Sequence, residues 1–149
     1  MDALTASPVF QAYVATTVVL GFNLLVLANN TALSRAAAGE AVNPEDTALN
    51  KDAKVVYEDG NAKTERYRRA HRNALENLPL FLITALVLCF TTVPLTIAGA
   101  LFGIFVAARI AHSFAYIFEK QPWRTASFAI GGLDQAALLL VLAYYTFMG

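Results

Sequence analysis

The chain has 149 residues, 57% of them hydrophobic, and a formal net charge of zero. That length suits one domain spanning residues 1–149, and a neutral balance gives no global field to draw nucleic acid, so no nucleic-acid partner is expected. The apolar share exceeds the roughly 45–50% of a soluble domain, and it is concentrated. No charged residue lies between Asp2 and Arg35 or between Glu76 and Arg109, and after Arg124 only Asp134 remains. A helix needs about 20 apolar residues to cross a bilayer. The pattern therefore predicts an all-α integral membrane protein, a four-helix bundle.

The first helix is expected over about residues 8–35. It is too long, and too poor in basic residues at its start, to be a cleaved leader. Asn23 inside it reads as a hydrogen-bonding residue between helices. Arg35 closes it, where a cation meets the C-terminal dipole. A polar connection follows over about residues 36–61. Within it Asn43-Pro44-Glu45-Asp46 reads as a turn leading into a short helix, with Asn43 as N-cap and Pro44 at N1. Glu58-Asp59-Gly60-Asn61 reads as a second turn.

The second helix is expected over about residues 64–90, with Pro79 inside it as a kink. The third covers about residues 94–118, and its small residues Ala98, Gly99, Gly103, Ala107, Ala108 and Ala111 predict close helix contacts. The fourth covers about residues 123–147, with Gly131-Gly132 as a weak point. Cys89 lies deep in an apolar run and reads as a packing residue. All eleven lysines and arginines fall in the half that holds the first and third connections. The positive-inside rule then puts those connections in the cytoplasm and both termini on the other side.

The chemistry is concentrated where the second helix begins. Arg69, Arg72, Asn73 and Glu76 stand at i, i+3, i+4 and i+7, so they share one face. A basic cluster touching lipid phosphates explains the arginines, but not Asn73 and Glu76 beside them. Arg109 lies about ten residues inside the third helix, roughly 15 Å deep at 1.5 Å per residue. A buried arginine needs a partner, and Glu76 is the acid at comparable depth. His112 and Tyr116 follow Arg109 on the same face. Arg124 and Thr125 open the fourth helix, where an arginine opposes the dipole and more plausibly faces an anion. Arg35, Arg72, Asn73, Glu76, His112, Tyr116, Arg124 and Thr125 can therefore converge at one level. Their excess positive charge, hydroxyls and single carboxylate suit a small, mainly anionic ligand beside a lipid-facing groove. With two histidines, one cysteine and no HExxH or CxxC spacing, no metal site is expected.

Glu65-Arg66-x-x-Arg69-Ala70-His71-Arg72-Asn73-x-x-Glu76 resembles the signature of the membrane-associated proteins in eicosanoid and glutathione metabolism, most of all the prostaglandin E synthase branch. Asn43-Pro44-Glu45-Asp46 and Arg109-x-Ala111-His112-x-x-Ala115-Tyr116 add to the resemblance, as does the Arg124-Thr125 pair. It extends from about the first helix to the end of the chain. It implies a homotrimer with glutathione between neighbouring subunits. By position, Arg35, Arg72, Asn73, Glu76, His112, Tyr116, Arg124 and Thr125 would contact glutathione. Arg124 and Thr125 would lie beside the sulfur, and Asp46 matches an acid important for isomerisation. Phe128 stands where that branch has a tyrosine contacting glutathione, and the loop before the fourth helix is one residue shorter.

The resemblance implies glutathione conjugation, hydroperoxide reduction or endoperoxide isomerisation on lipophilic substrates taken from the bilayer. A free thiol has a pKa of about 8.5, so little is ionised at neutral pH. Arg124 is the cation expected to stabilise the thiolate and Thr125 the donor beside it, with Asp46 as proton carrier or as the group that holds Arg124. The alternative is a non-enzymatic scaffold or a protein that binds anionic lipid through the same basic face. Four short spans with one pocket give little support for a transporter.

Overall fold

The computed structural model describes residues 5–48, 50–57 and 60–148. Four helices dominate it: α1 (Pro8–Ala37), α2 (Ala62–Leu88), α3 (Leu95–Ile117) and α4 (Trp123–Phe147). Three of them, α1, α3 and α4, are long and apolar enough to cross a membrane. α2 is as long, but its charged first half withholds the apolar stretch that the other three have. The expected four-helix membrane bundle is present, with α2 its most polar member.

α2 begins two residues earlier than expected because Asn61 caps it, its Oδ1 accepting from the Lys63 N–H at 3.0 Å. Pro79 sits inside α2, which continues unbroken to Leu88. α4 likewise runs straight through Gly131 and Gly132, so the glycine pair does not interrupt it.

α2 packs on the other three helices and α3 does the same, whereas α1 and α4 do not touch among the described residues. α2 and α3 are thus the central diagonal of the bundle. Where they meet, the Phe81 and Phe105 rings stack at 3.8 Å and Phe102 meets Phe81 edge-on at 6.0 Å. Leu20, Leu27, Ala85, Leu88, Ala98 and Leu138 are fully buried around them. Lipid is as apolar as these side chains, so close packing and hydrogen bonds, rather than hydrophobic transfer, hold such helices together. Asn23 Nδ2 donates to Ser113 Oγ at 3.1 Å, joining α1 to α3 as expected of it. Buried Cys89 lies 3.2 Å from the Ala85 carbonyl oxygen, as a packing residue. Gly103, Ala107 and Ala111 instead face outward; Ala98 and Ala108 are the small residues that α3 packs inside.

The connection from α1 to α2 is folded. Two short strands, β1 (Glu40–Ala41) and β2 (Lys54–Val55), pair in parallel around a 3-10 turn at Pro44–Ala48. Asn43 stands at the N-cap of that turn and Pro44 at N1, as expected. Asp46 Oδ2 reaches back and accepts from the Asn43 N–H at 3.1 Å. Glu40 Oε1 accepts from the Asn61 N–H at 2.5 Å, fastening the connection to the start of α2. Ser34 and Thr64 hydroxyls meet at 3.1 Å and join the end of α1 to the same place. Glu58 and Asp59 of the expected second turn lie outside the described residues.

Candidate functional site

The last turns of α1 and α3 and the first turns of α2 and α4 meet at one end of the bundle. The side chains expected to form a site fall there in three groups. In the first, His112, Tyr116, Arg124 and Phe128 lie between α3 and α4. The Arg124 guanidinium lies 5.0 Å from the centre of the Tyr116 ring, a cation–π contact that holds the charge over the phenol. The His112 ring is 5.6 Å from that of Tyr116 and 5.8 Å from that of Phe128. Arg124 and Tyr116, with Arg66, Arg69 and Glu119, line a cleft of about 150 Å³. Thr125 is exposed, and its hydroxyl donates to Gln121 Oε1 at 3.2 Å.

The second group lies on the outward face of α2. Arg72 and Glu76 are 3.8 Å apart, with their side chains 74% and 62% exposed. Asn73 beside them is half-buried, and its Oδ1 is sheltered without a partner. In the third group, Arg35 and Asp46 line a cleft of about 340 Å³ between the end of α1 and the folded connection. Within the chain Asp46 makes no ion pair with Arg124, so the expected holding role is not seen there.

Arg109 corrects another expectation. It is 2% exposed, yet it does not pair with Glu76, which points outward to Arg72. The Arg109 side chain turns toward α4. Its Nη2 donates to the Phe128 carbonyl oxygen at 3.3 Å, and its guanidinium lies 5.3 Å and 5.7 Å from the Phe105 and Phe128 rings. Gly131 makes the room: a Cβ there would fall on the guanidinium. Nε and Nη1 of Arg109, Nε2 of His112 and Oδ2 of Asp134 are all buried without a hydrogen-bond partner.

Sequence reasoning left several residues out. Arg69 shares the stripe of Arg72, Asn73 and Glu76, and Arg66 stands in the same motif, yet neither is among the expected contacts, although both line the cleft with Arg124. Ser127 donates to the Trp123 carbonyl oxygen at 2.7 Å and sits beside His112, a bond that spacing alone does not show. Glu119 ion-pairs with Arg66 from a loop with no recognisable motif. Asp134, 6% exposed, was visible only as an isolated charge.

Together these features define a bundle of membrane helices with a cationic, aromatic-lined site at one end. A sequence model of the MAPEG family matches residues 13–144, and the chain belongs to that family. It is 34% identical to microsomal glutathione S-transferase 1 of Bos taurus over 135 residues, which are 88% of this chain and 86% of that protein. The Homo sapiens protein of the same name is 33% identical over 126 residues, 83% and 81% of the two chains. Prostaglandin E synthase of Homo sapiens is 27% identical over 140 residues, 93% and 91% of the two chains.

Proposed function

We propose that the protein is a glutathione-dependent membrane enzyme that acts on lipophilic electrophiles or peroxides. The observation that carries this reading is the placement of Arg124 over Tyr116, beside His112 and two further arginines, at the polar end of a membrane bundle. The names of its relatives, glutathione transferase and prostaglandin E synthase, supply the reaction class.

The residues fit the tripeptide. Its two carboxylates match guanidinium groups, which bind carboxylates through paired, charge-assisted hydrogen bonds. Its ammonium matches Glu76, and its amide N–H groups match the unpartnered Asn73 Oδ1 and His112 Nε2. Arg35, Arg72, Asn73, Glu76, His112, Tyr116, Arg124 and Thr125 are the proposed contacts, with Phe128 adding only an apolar edge. When bound, glutathione supplies the nucleophilic thiol. Arg124 favours the ionised sulfur, because a guanidinium keeps its charge when dehydrated. Thr125 donates a hydrogen bond to it once its hydroxyl turns from Gln121. Asp46 takes the thiol proton, and since it stands apart from Arg124 within one chain, it must do so from a neighbouring copy.

Arg72 and Glu76 face outward from a single subunit, and a bilayer does not accept such groups bare. A second copy of the chain covering them completes the site, consistent with a homotrimer whose sites lie between subunits. The one-sided placement of lysine and arginine supports both termini on the non-cytoplasmic side. Native mass spectrometry should find three copies, and a fully active monomer would remove the intersubunit site.

The test of function is turnover. Purified protein with glutathione should convert at least one of an aryl halide, a lipid hydroperoxide and prostaglandin H2. Failure with all three, together with glutathione-independent binding to anionic vesicles, would favour a lipid-binding scaffold instead.

A further inference from the structure

Glu119 ends α3 in a conformation that its side chain does not favour. Its φ is 60°, and it is the one non-glycine residue with positive φ among the described residues. The Lys120 N–H donates to the Ala115 carbonyl oxygen at 2.8 Å, and the Glu119 N–H lies 3.5 Å from the Tyr116 carbonyl oxygen. This is the Schellman pattern, with Glu119 in the place that glycine usually takes. A Cβ makes the left-handed region unfavourable. The chain therefore carries a carboxylate where its own backbone would be better served by glycine.

That carboxylate crosses to α2 and pairs with Arg66. The two side chains are 70% and 25% exposed, and an ion pair so open to solvent adds little to stability. Its effect falls instead on the cleft that both residues line with Arg69, Tyr116 and Arg124. Glu119 is the single acid among those five. Three arginines and one glutamate give the cleft a formal charge of +2, and without Glu119 it would be +3. A naked arginine cluster at a membrane surface attracts phosphate groups of every kind.

We propose that Glu119 is a specificity-determining residue of this cleft. By neutralising Arg66 it tunes the site to a thiol tripeptide with one net negative charge and against polyanions such as polyphosphates. The identity of the favoured ligand rests on the glutathione reading above; the rejection of polyanions does not.

The full chain in detergent should be titrated with glutathione and, separately, with inorganic pyrophosphate at one fixed ionic strength. Glu119→Gln removes the charge and keeps the side chain's shape. Glu119→Gly also relieves the backbone. Both variants should bind pyrophosphate about five- to tenfold more tightly, because each ligand charge then meets one more unopposed cation. Glutathione affinity should change by less than about twofold, because its ammonium offsets one of its carboxylates. Glu119→Gly should also melt above the parent protein, which a stabilising role for the Arg66 pair would not produce. An unchanged ratio of the two affinities in folded Glu119→Gln would overturn the proposal. So would weakened glutathione binding with unchanged pyrophosphate binding, which would make Glu119 the acceptor of the ammonium. If the parent protein fails to bind glutathione while both variants gain pyrophosphate affinity, the tripeptide reading falls and the charge tuning stands.

Discussion

The Nδ1 atom of His112 lies 3.0 Å from the backbone carbonyl oxygen of Arg124. A carbonyl can only accept, so the proton of this bond is on Nδ1. In a neutral ring Nε2 is then the acceptor, and it is buried without a partner. One histidine thus fixes the first turn of α4 from α3 while keeping a lone pair for a ligand. His112→Leu should lose both. A net hydrogen bond contributes about 0.5–1.5 kcal/mol, so a small fall in melting temperature is expected with a larger fall in kcat. His112→Asn should recover part of the stability. Equal kcat in the leucine variant and the parent would remove His112 from the site.

Gly131 and Gly132 separate a packing role from a flexible one. Gly131→Ala places a methyl group on the Arg109 guanidinium and should destabilise by about 1–3 kcal/mol, the usual cost of overpacking. A Cβ on Gly132 meets nothing within 4 Å. Gly132→Ala should be neutral, or stabilise by up to about 1 kcal/mol through helix propensity. Thermal unfolding in detergent checks both, and the opposite ranking would mean that Arg109 does not sit as described.

Arg72 and Glu76 test the outward face of α2. Calorimetry should show weaker glutathione binding in Arg72→Ala, by about 1.5–3 kcal/mol for a lost charged hydrogen bond. Glu76→Ala should weaken it as well. Unchanged affinity in both variants would place the ligand elsewhere.

Much of the fold was legible because membrane helices announce themselves as charge-free stretches. Depth is legible too, since residues count off along a helix at a fixed rise. Rotation of one helix against another is not. Counted along their helices, Arg109 and Glu76 come to similar depth, yet Glu76 points outward to Arg72 and Arg109 turns to Phe128 and Gly131. The same blindness made Gly131 look like a weak point rather than a space for a guanidinium. β1 and β2 are two residues each, too short for alternation to register. Glu119 gave no signal, because a Schellman ending is normally betrayed by glycine. At the site, the stripe from Arg69 to Glu76 was readable from its spacing. The grouping of Arg124 with Tyr116 and the separation of Asp46 from both depend on how the connections fold.

Phe128 offers a gain-of-function test. Its ring is 5.8 Å from that of His112 and 47% exposed, so a hydroxyl at its edge would have room. Phe128→Tyr should tighten glutathione binding by about 0.5–1.5 kcal/mol, one net hydrogen bond. Weaker binding would show that the apolar ring itself packs against the ligand.

The central claim is that Arg124 holds the sulfur as thiolate, and the ultraviolet absorption of bound glutathione reports it directly. The parent protein saturated with glutathione should show the thiolate band at neutral pH. Arg124→Leu should lose that band, and its kcat should fall more than its affinity for glutathione, because the charge acts at the reacting atom. A thiolate band and turnover that both survive in Arg124→Leu would contradict the account and assign the sulfur to another group.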